Sequence, residues 1–138
     1  VATALDTPTD RFPLFENLGD VPVALVVSVD LAAVASMDKD LDRVGLVTGA
    51  SIYPLVWNIL LAARAEGLGG VVTTAVVPAE AEVRRLLDLP ETHAVAALIP
   101  LGVPTRQLTR LKRQLVEDFT TVDRFDGPPL AGPAMDGG

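Results

Sequence analysis

The order of elements legible in this chain is strand, helix, strand, helix, strand, strand, which predicts a three-layer α/β domain with a mixed central sheet. Three observations carry that prediction. Residues 21–29 (VPVALVVSV) are a near-continuous apolar run of strand length. Residues 51–66 read as a helix that is apolar on nearly every face. Residues 94–101 repeat the buried-strand composition after a short amphipathic helix.

The strand at 21–29 is expected to be covered on both faces, with Pro22 at its start, where a missing backbone donor is tolerated. Upstream, residues 7–10 read as a loop and 1–5 as the frayed end of a helix. Residues 31–37 have helical composition, whereas 38–43 alternate charges and read as exposed. Ser51 is the expected N-cap of the long helix, Pro54 sits in its first turn, and Gly67 or Gly69 supplies its left-handed exit. Ile52, Leu55, Val56, Ile59 and Ala63 form one stripe, which Tyr53, Trp57, Leu60 and Leu61 broaden around the cylinder. Such a helix is buried, either at the centre of a larger core or in a subunit interface, and Asn58 within it must find partners. A second strand is expected at 71–77. A helix at 78–87 follows, with Glu80 and Glu82 early, Arg84 and Arg85 late, and Val83, Leu86 and Leu87 as its buried edge. Alternation at 116–122 predicts a fourth, edge strand, and the Pro/Gly-rich residues 128–138 read as a disordered tail behind a domain spanning 1–127.

Composition narrows the function classes. The 138 residues suffice for one domain, and 18 Asp+Glu against 11 Lys+Arg give a net charge of −7, which argues against nucleic acid and anionic membranes as partners. The absence of cysteine excludes disulfides, Cys-ligated zinc and thiol catalysis, and points to the cytoplasm. Residues 45–63 carry no formal charge, but Gly49, Ser51, Pro54 and Asn58 interrupt them and argue against a membrane span. Asp6, Asp10 and Arg11 break any secretory apolar run.

Few residues offer chemistry. Gly67-Leu68-Gly69-Gly70 follows a helix and precedes a strand, the reverse of a phosphate-cradling loop; those glycines suit a helix stop and a close strand passage beside a flat ligand. Thr73 and Thr74 are good strand formers that also place N–H groups and hydroxyls where a ligand carbonyl or ring nitrogen can use them. Arg106, Arg110, Lys112 and Arg113 make the one positive patch visible in the sequence, and guanidinium forks suit a phosphate. His93 reads as structural, and Asp38, Asp40 and Asp42 lack the glycine and distal glutamate of a calcium loop.

The stretch GASIYPLVWNILLAARAEGLG, then VVTT, then the helix ending in LLDLPETHAVAALIPLGVP resembles the C-terminal half of the nitroreductase family, FMN-dependent NAD(P)H oxidoreductases. The segment TRLKRQLVEDFTTVDRFDG is similar to that family's basic stretch after its last strand. The resemblance implies an α+β fold of three α/β/α layers around a mixed sheet, built as an intertwined homodimer with two FMN sites at the interface. It implies that backbone around Thr73, Thr74 and Ala75 lines the flavin, and that Arg113, assisted by Arg110 or Lys112, holds the FMN phosphate. Hydride then passes from NAD(P)H through flavin to a nitro compound, quinone or similar small-molecule acceptor, with no catalytic side chain required. Gln114-Leu115 departs from the family pattern of a basic residue and proline. The family's N-terminal Arg-Ser-x-Arg helix and Pro- and Asn-containing loop have no counterpart, so the chain reads as a member without its N-terminal portion. Two alternatives stay open: a dimerising remnant without flavin, and an α/β module for another phosphorylated ligand.

Overall fold

The computed structural model of the chain describes residues 17–106, 109–110 and 112–132, which fall into two compact units divided between Thr105 and Arg106. The expected loop at 7–10, the frayed helix at 1–5 and the tail beyond residue 132 lie outside the described residues.

The first unit holds strand β1 (Val23–Asp30), helix α1 (Tyr53–Ala65), strand β2 (Gly69–Gly70), helix α2 (Glu80–Leu86) and strand β3 (His93–Gly102). The fold is α+β. Its sheet has the order β1-β3-β2, and among the described residues both pairings are antiparallel, where a mixed sheet was expected. Strand β3 is therefore central, and its Ala97, Ile99 and Leu101 alternate onto the face that packs against Val56 and Ala63 of α1. Val27, Ile52, Ile59, Leu60 and Leu68 complete that core. A register shift between Val27 and Ser28 bulges the β1–β3 ladder.

Strand β1 departs from the expected two-sided burial. Val23 and Leu25 are exposed, and among the described residues only β3 flanks β1, which leaves it an edge strand. The helix expected at 31–37 is replaced by turns: Asp30 Oδ1 accepts the Ala32 N–H at 3.0 Å and Asp30 C=O accepts the Ala33 N–H at 3.1 Å. An aspartate that captures its own downstream backbone diverts the chain from helix.

Helix α1 begins after a 3-10 turn at Val47–Ser51, which absorbs Ser51 and leaves Ile52 rather than Ser51 at the N-cap. It ends as its sequence suggests, with Gly67 at φ 79° and the Leu68 N–H donating to Ala63 C=O at 2.8 Å. Its burial is the larger correction. Only Val56 and Ala63 are buried, while Leu55 (52%), Trp57 (58%), Leu61 (54%), Tyr53 and Asn58 are exposed. One face packs on the sheet, and the exposed apolar residues of α1 have no cover among the described residues.

The second strand is also shorter than expected. Thr73 pairs with Leu98 in the register that Gly69–Gly102 and Gly70–Leu101 set, so Val71 falls opposite Pro100. Proline has no N–H to continue the ladder, and the strand breaks there. Helix α2 follows a 3-10 turn at Val77–Ala79, and Glu80 Oε2 ties it to the sheet by accepting the Val95 N–H at 3.1 Å. Leu86 and Leu87, expected in its buried edge, are exposed.

Residues 38–43 hold a second correction, since Asp38 is 4% exposed rather than part of a solvated run. Its Oδ2 accepts hydrogen bonds from Arg43 Nη1 (2.8 Å), the Leu46 N–H (2.7 Å) and the Val47 N–H (3.3 Å), while the hydroxyls of Ser36 and Thr48 pair at 2.8 Å across the loop base. The Leu46 amide foremost, with Arg43, outweighs desolvation and holds the Asp38 carboxyl below its ordinary value of 3.8. A depressed folded-state pKa means the contribution is present above the unfolded value and is lost as pH falls below it, through the lower folded value. Asp38→Ala is expected to speed amide exchange at Leu46 and Val47 by about tenfold or more, leaving Leu98 in β3 unchanged; equal exchange would remove Asp38 as the loop clamp.

The second unit contains a 3-10 turn at Val116–Asp118 in place of the expected strand at 116–122. It closes as a loop in which the Val122 N–H donates to Pro128 C=O and the Leu130 N–H to Thr120 C=O, both at 2.9 Å. Pro128 and Leu130 of the expected tail thus carry hydrogen bonds. Asp123 at φ 64° makes the reversal that a continuous strand would not allow. Among the described residues, no helix is long and apolar enough to cross a membrane.

Candidate functional site

Thr73, Thr74 and Ala75 occupy the turn between β2 and α2. Thr73 gives both backbone groups to Leu98, donating its N–H at 2.9 Å and accepting from the Leu98 N–H at 2.8 Å. Its hydroxyl oxygen accepts the Ala75 N–H at 3.1 Å, and Thr74 C=O accepts the Val77 N–H at 2.9 Å. Thr73 and Ala75 are half-buried, whereas Thr74 is exposed. The turn is therefore built by Thr73 and presents Thr74. Its N–H has no hydrogen-bond partner among the described residues, and its side chain is open to a ligand.

The neighbouring glycines serve packing inside the chain. A Cβ at Gly70 would stand 2.5 Å from Leu101 Cδ2, 3.0 Å from Leu60 Cδ2 and 3.1 Å from Pro100 C=O. Gly70 thus lets β2 pass over the core, where the sequence had suggested room for a flat ligand.

Arg106, Arg110, Lys112 and Arg113 lie in the second unit, and all four are exposed. None forms an ion pair with a carboxylate among the described residues. Four cationic heads with no acidic partner among the described residues, in a chain of net charge −7, suit an anion.

Two polar contacts were not legible in the sequence. Ser28 Oγ lies 3.1 Å from His93 Nδ1, joining β1 to β3 and giving the single histidine a structural partner. Asp30, opposite His93 in the ladder, is held below its ordinary pKa first by the Ala32 N–H and then by the Thr92 hydroxyl. The Ser28–His93 pair depends on strand register, for which residues 65 apart in sequence give no signal. Among the described residues, no group of three or more His, Cys, Asp or Glu could hold a metal ion.

The nitroreductase family model matches residues 4–103. A structure from Bacteroides thetaiotaomicron, named as an NADH dehydrogenase/NAD(P)H nitroreductase, superposes with a TM-score of 0.63 at 24% identity, over 84% of this chain and 63% of its own. The NADPH:FMN oxidoreductase of Vibrio harveyi, complexed with NAD+, gives 0.56 at 28% identity, over 73% of this chain and 46% of its own. Nitroreductase A of Vibrio parahaemolyticus gives 0.51 at 29% identity, over 69% and 42%. The chain thus spans 42% to 63% of the length of these structures. No curated protein sequence matches it. With 100 consecutive residues under one family model, and with that family's fold around them, the chain belongs to the nitroreductase family.

Proposed function

We propose that the protein is an FMN-dependent NAD(P)H oxidoreductase of nitroreductase type, working in the cytoplasm on nitro compounds, quinones or similar acceptors. The family match over residues 4–103 carries this reading. The similar Vibrio harveyi protein is by name an NADPH:FMN oxidoreductase, which favours the same cofactor here.

The residues present suit FMN. Arg113, with Arg110 or Lys112, would hold the phosphate, because these exposed cations form no ion pair among the described residues and the guanidinium fork offers paired donors at fixed charge. In the segment Thr73–Ala75 the spare backbone donor is at Thr74, so Thr74 would meet the ring while Thr73 and Ala75 shape the turn. FMN, when bound, would supply the hydride-transfer chemistry. The chain's part is to bind and orient, and none of its side chains needs to move a proton.

The exposed Tyr53, Trp57 and Leu61, spaced one turn apart along one side of α1, support an intertwined homodimer. Phe119 and Phe125 of the second unit, the latter fully exposed, add apolar surface of the same kind.

Arg113→Ala is expected to weaken FMN binding by about 1.5–3 kcal/mol, or some 10- to 150-fold in Kd, as loss of a charge-assisted hydrogen bond does. Fluorescence quenching of added FMN measures it. Unchanged affinity would remove the basic segment from the phosphate site.

A further inference from the structure

Residues 36–48 form a loop that is fastened at its base and apolar along its length. The hydroxyls of Ser36 and Thr48 pair across the base, and buried Asp38 binds Arg43 and the amides of Leu46 and Val47. On this frame Met37 (81%), Val44 (83%), Leu46 (73%) and Leu41 stand exposed. The clamp holds these side chains out toward water, so most of the loop's ordering entropy is lost before anything binds it.

The loop runs directly into α1. Leu46 C=O accepts the Gly49 N–H at 3.1 Å, and the Tyr53 ring lies over Gly49, where an added Cβ would stand 2.9 Å from Tyr53 Cε2. Tyr53 in turn begins the exposed row that Trp57 and Leu61 continue. Those three side chains expose roughly 400 Å², about half of the ~800 Å² that each partner buries in a stable interface. The four loop side chains add on the order of 500 Å², which brings loop and helix row together to that size.

We propose that residues 36–48 are a dimerisation arm, a clamped loop that packs on a second copy of this chain and extends the contact begun on α1. The proposal rests on the homodimer reading and supplies the area that the α1 row alone lacks. Continuity with that row favours a second copy as the occupant, because a two-fold contact uses the same patch on both subunits. Asp40 and Asp42 on the same loop oppose an anionic membrane surface.

Two measurements on the full chain test it. Sedimentation velocity over a concentration series gives the dimer Kd of wild type, Val44→Asp and Leu86→Asp. Val44 is so exposed that aspartate there should leave the fold intact, yet raise Kd about tenfold or more by burying an unpaired carboxylate between subunits. Leu86→Asp, the same charge on an exposed position of α2, should stay within about twofold of wild type. The second measurement is the rate at which dilute hydrogen peroxide converts Met37 to its sulfoxide, read by peptide mass spectrometry. That rate should fall as wild type passes from monomer to dimer, and stay at the monomer value in Trp57→Asp at every concentration. Equal rates in monomer and dimer, a Val44→Asp chain that associates like wild type, or a Leu86→Asp chain weakened as much as Val44→Asp would overturn the arm and leave a dimer built on α1. Protection of Met37 in the Trp57→Asp monomer would also overturn it, assigning the loop a cover within its own chain. A wild-type chain that stays monomeric would remove the homodimer and the arm together, so the two failures are told apart.

Discussion

Replacing Ile99 by alanine is expected to cost the fold about 2–5 kcal/mol, the range for large-to-small changes in a closed core. Ile99 is 0% exposed at the centre of β3, where it meets Val56 and Ala63 across the sheet–helix interface. The lost methyl groups leave a cavity between two elements whose backbones are already fixed, one by β1 and β2, the other by its own helical bonds. Domain stabilities are on the order of 5–15 kcal/mol, so the variant should show a clearly lowered Tm and populate the unfolded chain well below the wild-type transition. Leu25→Ala, on the exposed half of β1, is the control and should cost less than about 1 kcal/mol. Equal costs at the two positions would mean that the α1–β3 contact is not the core.

The second large effect is expected on association. Trp57→Asp places a charge in the middle of the uncovered face of α1, where Leu61 and Tyr53 sit one turn away on either side. Tryptophan at the centre of an interface contributes ~2 kcal/mol or more, and a buried unpaired carboxylate adds its own penalty. The dimer Kd should therefore rise by about 30-fold or more, giving a monomer at micromolar concentration by sedimentation velocity. Since Trp57 is more than half exposed in the single chain, the variant should keep its helix content. A wild-type chain that sediments as a monomer would contradict the dimer, as would a variant that sediments like wild type.

What could be read from the residues tracks how local each feature is. Helix α1 and strand β3 were legible because their signals are internal: Pro54 near one end, Gly67 at the other, and an unbroken apolar run over residues 94–99. The ambiguity in α1, between core and interface, was also legible, and among the described residues Leu55, Trp57 and Leu61 stay exposed. Strand β2 failed because its length depends on the residue opposite. Val71 and Val72 are good strand formers, but Pro100 is the neighbour of Val71, and only the register reveals that. The same holds for Asp38: a run of alternating charges says nothing of the two amides, eight and nine residues on, that bury one of them.

The candidate site divides in the same way. The basic residues of 106–113 stand out by composition alone in an acidic chain. That Thr73 is spent on Leu98, leaving Thr74 as the segment's spare donor, follows from pairing across 25 residues and could not be counted from the sequence.

The measurement that bears most directly on the central claim is an absorbance spectrum of the purified chain from about 300 to 550 nm, with and without added FMN, followed by NAD(P)H under anaerobic conditions. The account predicts a flavin band that is retained through gel filtration and bleached by the reduced nicotinamide. A chain that takes up no FMN, or whose bound FMN is not bleached by either NADH or NADPH, would contradict it.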